Sequence, residues 1–255
     1  MLRVAALYDI HGNLPALEAV LDAVTVAGVD AIVVGGDVLP GPMPKECLDR
    51  LYSTGLPTHF IHGNGESAAL QVLAGRVPEK VPEAFRPAVQ WSAEQVPDEY
   101  RTEIAGWPST RRLEIDGVGE VFFCHATARN DTELVTRLSP DARVLEVFPD
   151  LGSTIAVCGH THMQFDRTVD SLRVVNAGSV GMPFGEPGAY WLLLGPDVQL
   201  KRTSYDLHSA ALRLRASAFP GVSAFVERQV LNRPTEEQIL VAYARADGRE
   251  ARTPL

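Results

Sequence analysis

Residues 3 to 10 read "RVAALYDI", an apolar run that stops on an aspartate, and residues 30 to 38, "DAIVVGGDV", repeat the arrangement. A third run, "THFIHGN" at 58 to 64, ends on an asparagine. Short β-branched or apolar runs bounded by Gly, Asp or Asn read as buried strands. Between the first two, Leu14, Leu17, Val20, Leu21 and Val24 recur at helical spacing before Gly28, and Leu48 and Leu51 mark a second crossover helix. The order strand, helix, strand, helix, strand predicts a parallel sheet whose working edge lies at the strand C-termini.

From Ser67 to Pro108 the chain changes to Ala, Glu, Gln and Pro with scattered Leu, Phe and Trp, which reads as short helices forming a cap over the site. Seven further strand-like runs follow: "RLEID" (112 to 116), "EVFFCHA" (120 to 126), "STIAVCGHTH" (153 to 162), "QFDRTV" (164 to 169), "LRVVNAGSV" (172 to 180), "AYWLLLG" (189 to 195) and "VQLKRTSYD" (198 to 206). So many strands with few helices between them predict a second sheet packed on the first. The stretch from Leu207 is helical in tone, broken by Pro220-Gly221 and Pro234. The expectation is an α/β chain with one catalytic domain over residues 1 to 255, a helical insertion at 67 to 108 and a helical tail at 207 to 255.

Composition narrows the partners. With 32 acidic against 23 basic residues the net charge is −9, so no broad basic surface is on offer to a nucleic-acid backbone or an anionic membrane. Cys47, Cys124 and Cys158 are an odd number, far apart, as suits a reducing compartment. No apolar run approaches the roughly eighteen residues of a membrane span. The start "MLRVAALYDI" has no signal-peptide layout. A cytoplasmic protein acting on a small molecule is expected, with homo-oligomer formation left open.

The chemistry gathers at strand ends. Asp9 and His11 stand two apart where the first strand stops, a spacing that puts both side chains on one side of a strand. His160 and His162 repeat that spacing in "GHTH". Asp37 closes the second strand, Asn64 the third, and His125 the run "EVFFCH". This mixed nitrogen and oxygen set without thiolate suits Mn, Fe, Co, Ni or Zn better than Ca or Mg. Seven candidates are too many for one ion and fit two that share a carboxylate.

In these blocks the sequence resembles the calcineurin-like metallophosphoesterases, whose pattern runs D-x-H, G-D, G-N-H-[DE], H and G-H-x-H. Here it reads "DIH" (9 to 11), "GD" (36 to 37), "GNGE" (63 to 66), "CH" (124 to 125) and "GHTH" (159 to 162). The resemblance implies a two-sheet sandwich flanked by helices, a four-layer αββα architecture. It assigns Asp9, His11 and His162 to one metal and Asn64, His125 and His160 to a second, with Asp37 bridging. It implies hydrolysis of a small phosphodiester by a metal-bridging hydroxide, with Asp37, Asn64 and His125 in catalytic roles. The cofactors would be two divalent transition-metal ions (Mn2+, Fe2+/3+, Co2+, Ni2+ or Zn2+). "NAGSVG" (176 to 181) is similar to the loop that follows the last ligand block in the bacterial branch.

One position departs: Gly65 stands where many members carry a histidine that hydrogen-bonds or protonates the substrate. His62 is a weak substitute acid, and Arg129 and Asn130 are candidate phosphate contacts by placement. A pyrophosphohydrolase or protein phosphatase on the same scaffold is the alternative among enzymes. The alternative of another class is a non-catalytic interaction scaffold like the retromer subunit that resembles these enzymes. Retention of a coordinating side chain at all seven positions favours the enzyme.

Overall fold

The computed structural model describes residues 2 to 246. Residues 247 to 255, the end of the expected tail, lie outside the described residues. The chain alternates first: β1 (Val4–Leu7), α1 (Leu14–Ala27), β2 (Ala31–Val34), α2 (Pro44–Tyr52), β3 (Thr58–Phe60). Three helices follow, α3 (Asn64–Leu73), α4 (Arg86–Glu94) and α5 (Asp98–Ala105). Next come β4 (Thr110–Ile115), β5 (Gly119–Cys124), α6 (Asp141–Val147), β6 (Ile155–Cys158), β7 (Phe165–Val169), β8 (Leu172–Asn176), β9 (Ala189–Leu194) and β10 (Val198–Thr203). Helices α7 (Leu207–Arg215), α8 (Val222–Phe225) and α9 (Glu236–Ala246) complete the described chain. Among these residues no helix is long and apolar enough to cross a membrane.

Local rules account for the first helix. Asn13 caps it by accepting from the Ala16 N–H at 3.3 Å, Pro15 sits in its first turn, and Gly28 ends it in the left-handed region at φ 63°. Its face of Leu17, Val20, Leu21 and Val24 is buried.

Two five-stranded mixed sheets result, in the orders β10-β9-β1-β2-β3 and β4-β5-β6-β8-β7. In the first, β1, β2 and β3 run parallel; in the second, β5, β6 and β8 do. Alternation along β1 divides the core. Val4, Ala6 and Tyr8 face Phe123, Val157 and Val175 of the other sheet, while Ala5 and Leu7 face Leu17, Val20 and Leu48 of the helices outside. The outer face of the second sheet packs Phe122, Cys158 and Val174 on Val144 and Val147 of α6. A strand buried on both faces must be apolar throughout, which is why "VAAL" carries no polar residue. The layers are helix, sheet, sheet, helix, as the resemblance implied.

Helix α4 packs on α3, while α5 and the turn after it are held by ring stacking: Tyr100 of α5 on Tyr52 of α2 at 5.1 Å, and Trp107 on Phe60 of β3 at 4.6 Å. The parallel strands deliver their C-terminal loops to one edge, and the candidate residues lie in those loops. Strands β1, β2 and β3 end at Leu7, Val34 and Phe60, so Asp9, Asp37 and Asn64 all lie beyond the strands expected to carry them.

Candidate metal centre

The residues singled out from the sequence converge. Asp9 is fully buried, and its Oδ2 accepts the His160 N–H at 2.8 Å. Its Oδ1 lies 3.4 Å from His162 Nε2, 4.0 Å from His11 Nε2 and 3.9 Å from His125 Nε2. Asp37 stands between two imidazoles, Oδ2 at 3.6 Å from His11 Nε2 and Oδ1 at 3.6 Å from His125 Nε2. Asp9, His11 and His162 form one group of ligand atoms within 4.8 Å of one another, and Asp9, Asp37 and His125 another. His160 joins through Asn64, whose side-chain oxygen lies 3.0 Å from His125 Nε2 and 2.8 Å from His160 Nδ1.

Backbone carbonyls orient the rings. His11 Nδ1 donates to the Pro40 oxygen (3.2 Å), His162 Nδ1 to Met182 (2.9 Å), His125 Nδ1 to Gly35 (2.9 Å) and His160 Nε2 to Thr132 (3.3 Å). A carbonyl only accepts, so each of these nitrogens carries the hydrogen and the other presents a lone pair inward. The consequence is that His11 Nε2 and His162 Nε2 face each other at 3.2 Å. Asp9 Oδ1 is buried with no hydrogen-bond partner. The Asn64 oxygen faces acceptors; only a rotated amide would donate to both imidazoles. These inward acceptors without hydrogens fit a site built for cations.

Burial is the largest influence on every titrating group here. It lifts the Asp37 carboxyl to about 7, with the neighbouring Glu66 and Asp9 charges adding to it. For Asp9, the imidazoles of His162, His125 and His11 outweigh burial and hold the carboxyl below its usual range. Burial takes His11 and His160 down to about 3. His125 and His162 are raised despite burial, by Asp37 and Asp9 for the first and by Asp9 for the second.

The pairs Asp9/His11 and His160/His162 do not converge by strand alternation. Asp9 (φ 53°), His11 (46°), Asp37 (54°), His160 (64°) and His162 (60°) all occupy the left-handed region, which only two other described non-glycine residues adopt. Each such residue costs about 1–2 kcal/mol, and strain of this kind collects where function needs it. The loops are pinned by bonds between strand ends. The Asp9 N–H donates to the Gly36 carbonyl (3.1 Å), the His11 N–H to Asp37 (2.9 Å), and Ser179 Oγ to the Asp9 carbonyl (2.7 Å).

Asn64 is the first residue of α3 rather than the end of a strand. The cause is Glu66, a fully buried carboxylate that accepts the N–H groups of Gly63 (2.9 Å), Asp37 (2.8 Å) and Leu39 (3.1 Å). Glu66 had no role in the sequence reading, although an acid at the third helical position is a capping signal. Asn176 was missed in the same way: its Nδ2 donates to the Gly159 carbonyl at 2.7 Å and holds the GHTH turn.

Two phosphate-contact candidates are engaged elsewhere. The Arg129 guanidinium pairs with Glu133 and, at 2.9 Å, with Glu146. Asn130 Oδ1 accepts the N–H groups of Thr132 (3.0 Å) and Glu133 (2.9 Å), closing its own turn. Both corrections come from local bonds that compete with a ligand. His62 Nδ1 lies 3.1 Å from Ser67 Oγ.

The chain is 26% identical over 237 residues to an uncharacterised protein of Methanocaldococcus jannaschii, covering 85% of this chain and 93% of that one. A hypothetical protein of Pyrococcus horikoshii shares its fold, with a TM-score of 0.76 at 18% identity over 92% of this chain and 100% of the other. A metallophosphoesterase from Sphaerobacter thermophilus matches with a TM-score of 0.68 at 25% identity, over 91% and 100%. Residues 2–195, which include nine of the ten strands and every candidate ligand, match the model of the calcineurin-like phosphoesterase superfamily domain, and the chain belongs to that superfamily.

Proposed function

We propose that the chain hydrolyses a small phosphodiester with two divalent transition-metal ions. Asp9, His11, Asp37, Asn64, His125, His160 and His162 would hold them, and Asp37, Asn64 and His125 are the proposed catalytic residues. The observation that carries this reading is the pair of ligand groups that share Asp9, with Asp37 set between His11 and His125 and the lone pairs aimed inward. Bound there, the ions supply Lewis acidity toward the phosphoryl oxygens and activate water near neutral pH.

The chain's own residues set the conditions. Asp37, with one oxygen toward His11 and the other toward His125, suits a position between two ions. Asn64 adds an oxygen without adding charge. Two carboxylates against two divalent ions leave the site net positive, so a phosphate is drawn in despite the overall −9. The burial of Asp9, Asp37 and His125 keeps water from screening that attraction.

The test is a panel of phosphodiesters, phosphomonoesters, dinucleoside polyphosphates and phosphopeptides offered to protein reconstituted in turn with Mn2+, Fe2+, Co2+, Ni2+ and Zn2+. Turnover of a diester is expected with at least one metal. Bound metal without ester turnover, or turnover of pyrophosphate bonds alone, would overturn the reading.

A further inference from the structure

A cavity of about 270 Å³ opens beside His125, between α3 and the loop that follows β5. It adjoins the metal centre, since the Asp131 carbonyl lies 3.1 Å from the Asn64 side-chain oxygen. Nine of its ten lining residues carry polar side chains, although carbon makes up about half of the surface they present, and its hydrogens are ordered by a chain of three groups. The Asp131 carboxylate accepts from Ser67 Oγ at 2.7 Å, which uses the only hydroxyl hydrogen Ser67 has. His62 Nδ1, at 3.1 Å from the same Oγ, must then be the donor, and Nε2 is left as the acceptor of the ring.

The charges point the same way. Arg129 is the only Arg or Lys in the lining, and its guanidinium is already paired with Glu133 and Glu146. An anionic group in the cavity would meet the Asp131 carboxylate with no uncommitted guanidinium or ammonium among the described lining residues to offset it. Hydroxyl hydrogens, by contrast, would meet acceptors. The volume equals that of about nine waters, room for a polyol or a single sugar and too little for a chain of phosphates with a second nucleoside.

We propose that this cavity seats the leaving-group alcohol and selects a neutral, hydroxyl-rich one over an anionic one. This deepens the phosphoesterase reading and rests on it. Selection arises as much from the unfavourable meeting of an anion with Asp131 as from the bonds a hydroxyl makes.

Glycerol 3-phosphate and 3-phosphoglycerate test the proposal, because they match in size and differ in a hydroxymethyl against a carboxylate. Calorimetric titration of metal-reconstituted protein is expected to give at least about tenfold tighter binding of glycerol 3-phosphate. In Asp131→Asn, with its melting temperature checked against the parent, the ratio should fall to about threefold or less. Equal binding in the parent, preference for the carboxylate, no binding of either probe, or an unchanged ratio in Asp131→Asn would each overturn the proposal. Hydrolysis of bis(p-nitrophenyl) phosphate is followed in parallel. Its absence counts against the phosphoesterase reading alone, because the calorimetric ratio is read without turnover.

Discussion

The Gly65 N–H donates to Asp37 Oδ1 at 2.7 Å, and a β-carbon at Gly65 would stand 2.0 Å from the Leu39 carbonyl oxygen. That obstacle is backbone and cannot swing aside. Where many relatives in the resemblance carry a histidine, this chain has brought its own main chain into the space, so Gly65 is a packing requirement and no φ strain is involved. Gly65→Ala and Gly65→His should each destabilise the metal-free protein by about 1–3 kcal/mol, and the histidine should restore no acid. Urea denaturation in chelator measures this; an unshifted midpoint for Gly65→Ala would contradict it.

Glu66 gathers the backbone of Gly63, Asp37 and Leu39 onto one buried carboxylate. Removing it leaves three N–H groups in the interior without an acceptor, each costing about 1–3 kcal/mol. Glu66→Ala should therefore fail to fold or lose at least about 3 kcal/mol. Glu66→Gln can keep the two bonds made by one oxygen and should retain the fold with weaker metal binding. Equal stability of all three proteins would remove Glu66 from its organising role.

Asp37→Ala should lower bound metal to one ion or none, because Asp37 alone faces both His11 and His125 through separate oxygens. Cys158→Ser is the control. Although Cys158 is only two residues from His160, its thiol packs with Val174 and Phe122 on the far face of the sheet and burial pushes it up to about 12. Its loss should leave metal content unchanged. Elemental analysis of the purified variants decides, and two tightly held ions in Asp37→Ala would sink the bridging role.

The strands were legible because a strand buried on both faces must be apolar along its whole length, and the ligands were legible because each stands just past such a run. The geometry that joins them was not. An aspartate or histidine in a sequence carries no mark of a left-handed φ, so the convergence of Asp9 with His11 looked like strand alternation when it is a turn held by Gly36, Asp37 and Ser179. Arg129 was misread for a related reason. Glu133 pairs with it inside a loop whose path the sequence does not show, and Glu146 meets it only once α6 has packed on β5 and β6.

Metal and proton should compete for the same atoms, and the sign of that competition follows from two groups. Asp37 in the metal-free fold ionises near 7, well above an ordinary carboxylate. Its burial therefore weakens the metal-free fold progressively as pH rises from about 4 to 7. His162 is raised by Asp9, so the stability it contributes is present below its ordinary value and lost as pH climbs through the raised one. His11 and His160 act in the opposite direction, but only as pH falls below about 6.5 toward 3. Between pH 6 and 8 the first two dominate, together with His125, which Asp37 and Asp9 raise in the same way: the metal-free protein loses stability as pH rises, while the deprotonated ligands bind metal more tightly. Uptake of Mn2+ or Zn2+ at pH 6 should thus release about one proton or more, falling toward none above pH 8. The melting-temperature gain on adding metal should grow over the same interval. Calorimetry in buffers of different ionisation enthalpy counts the protons. Metal binding at pH 6 with no proton released would mean that Asp37 and His162 are already deprotonated in the metal-free fold, and that its buried charges are balanced in some other way.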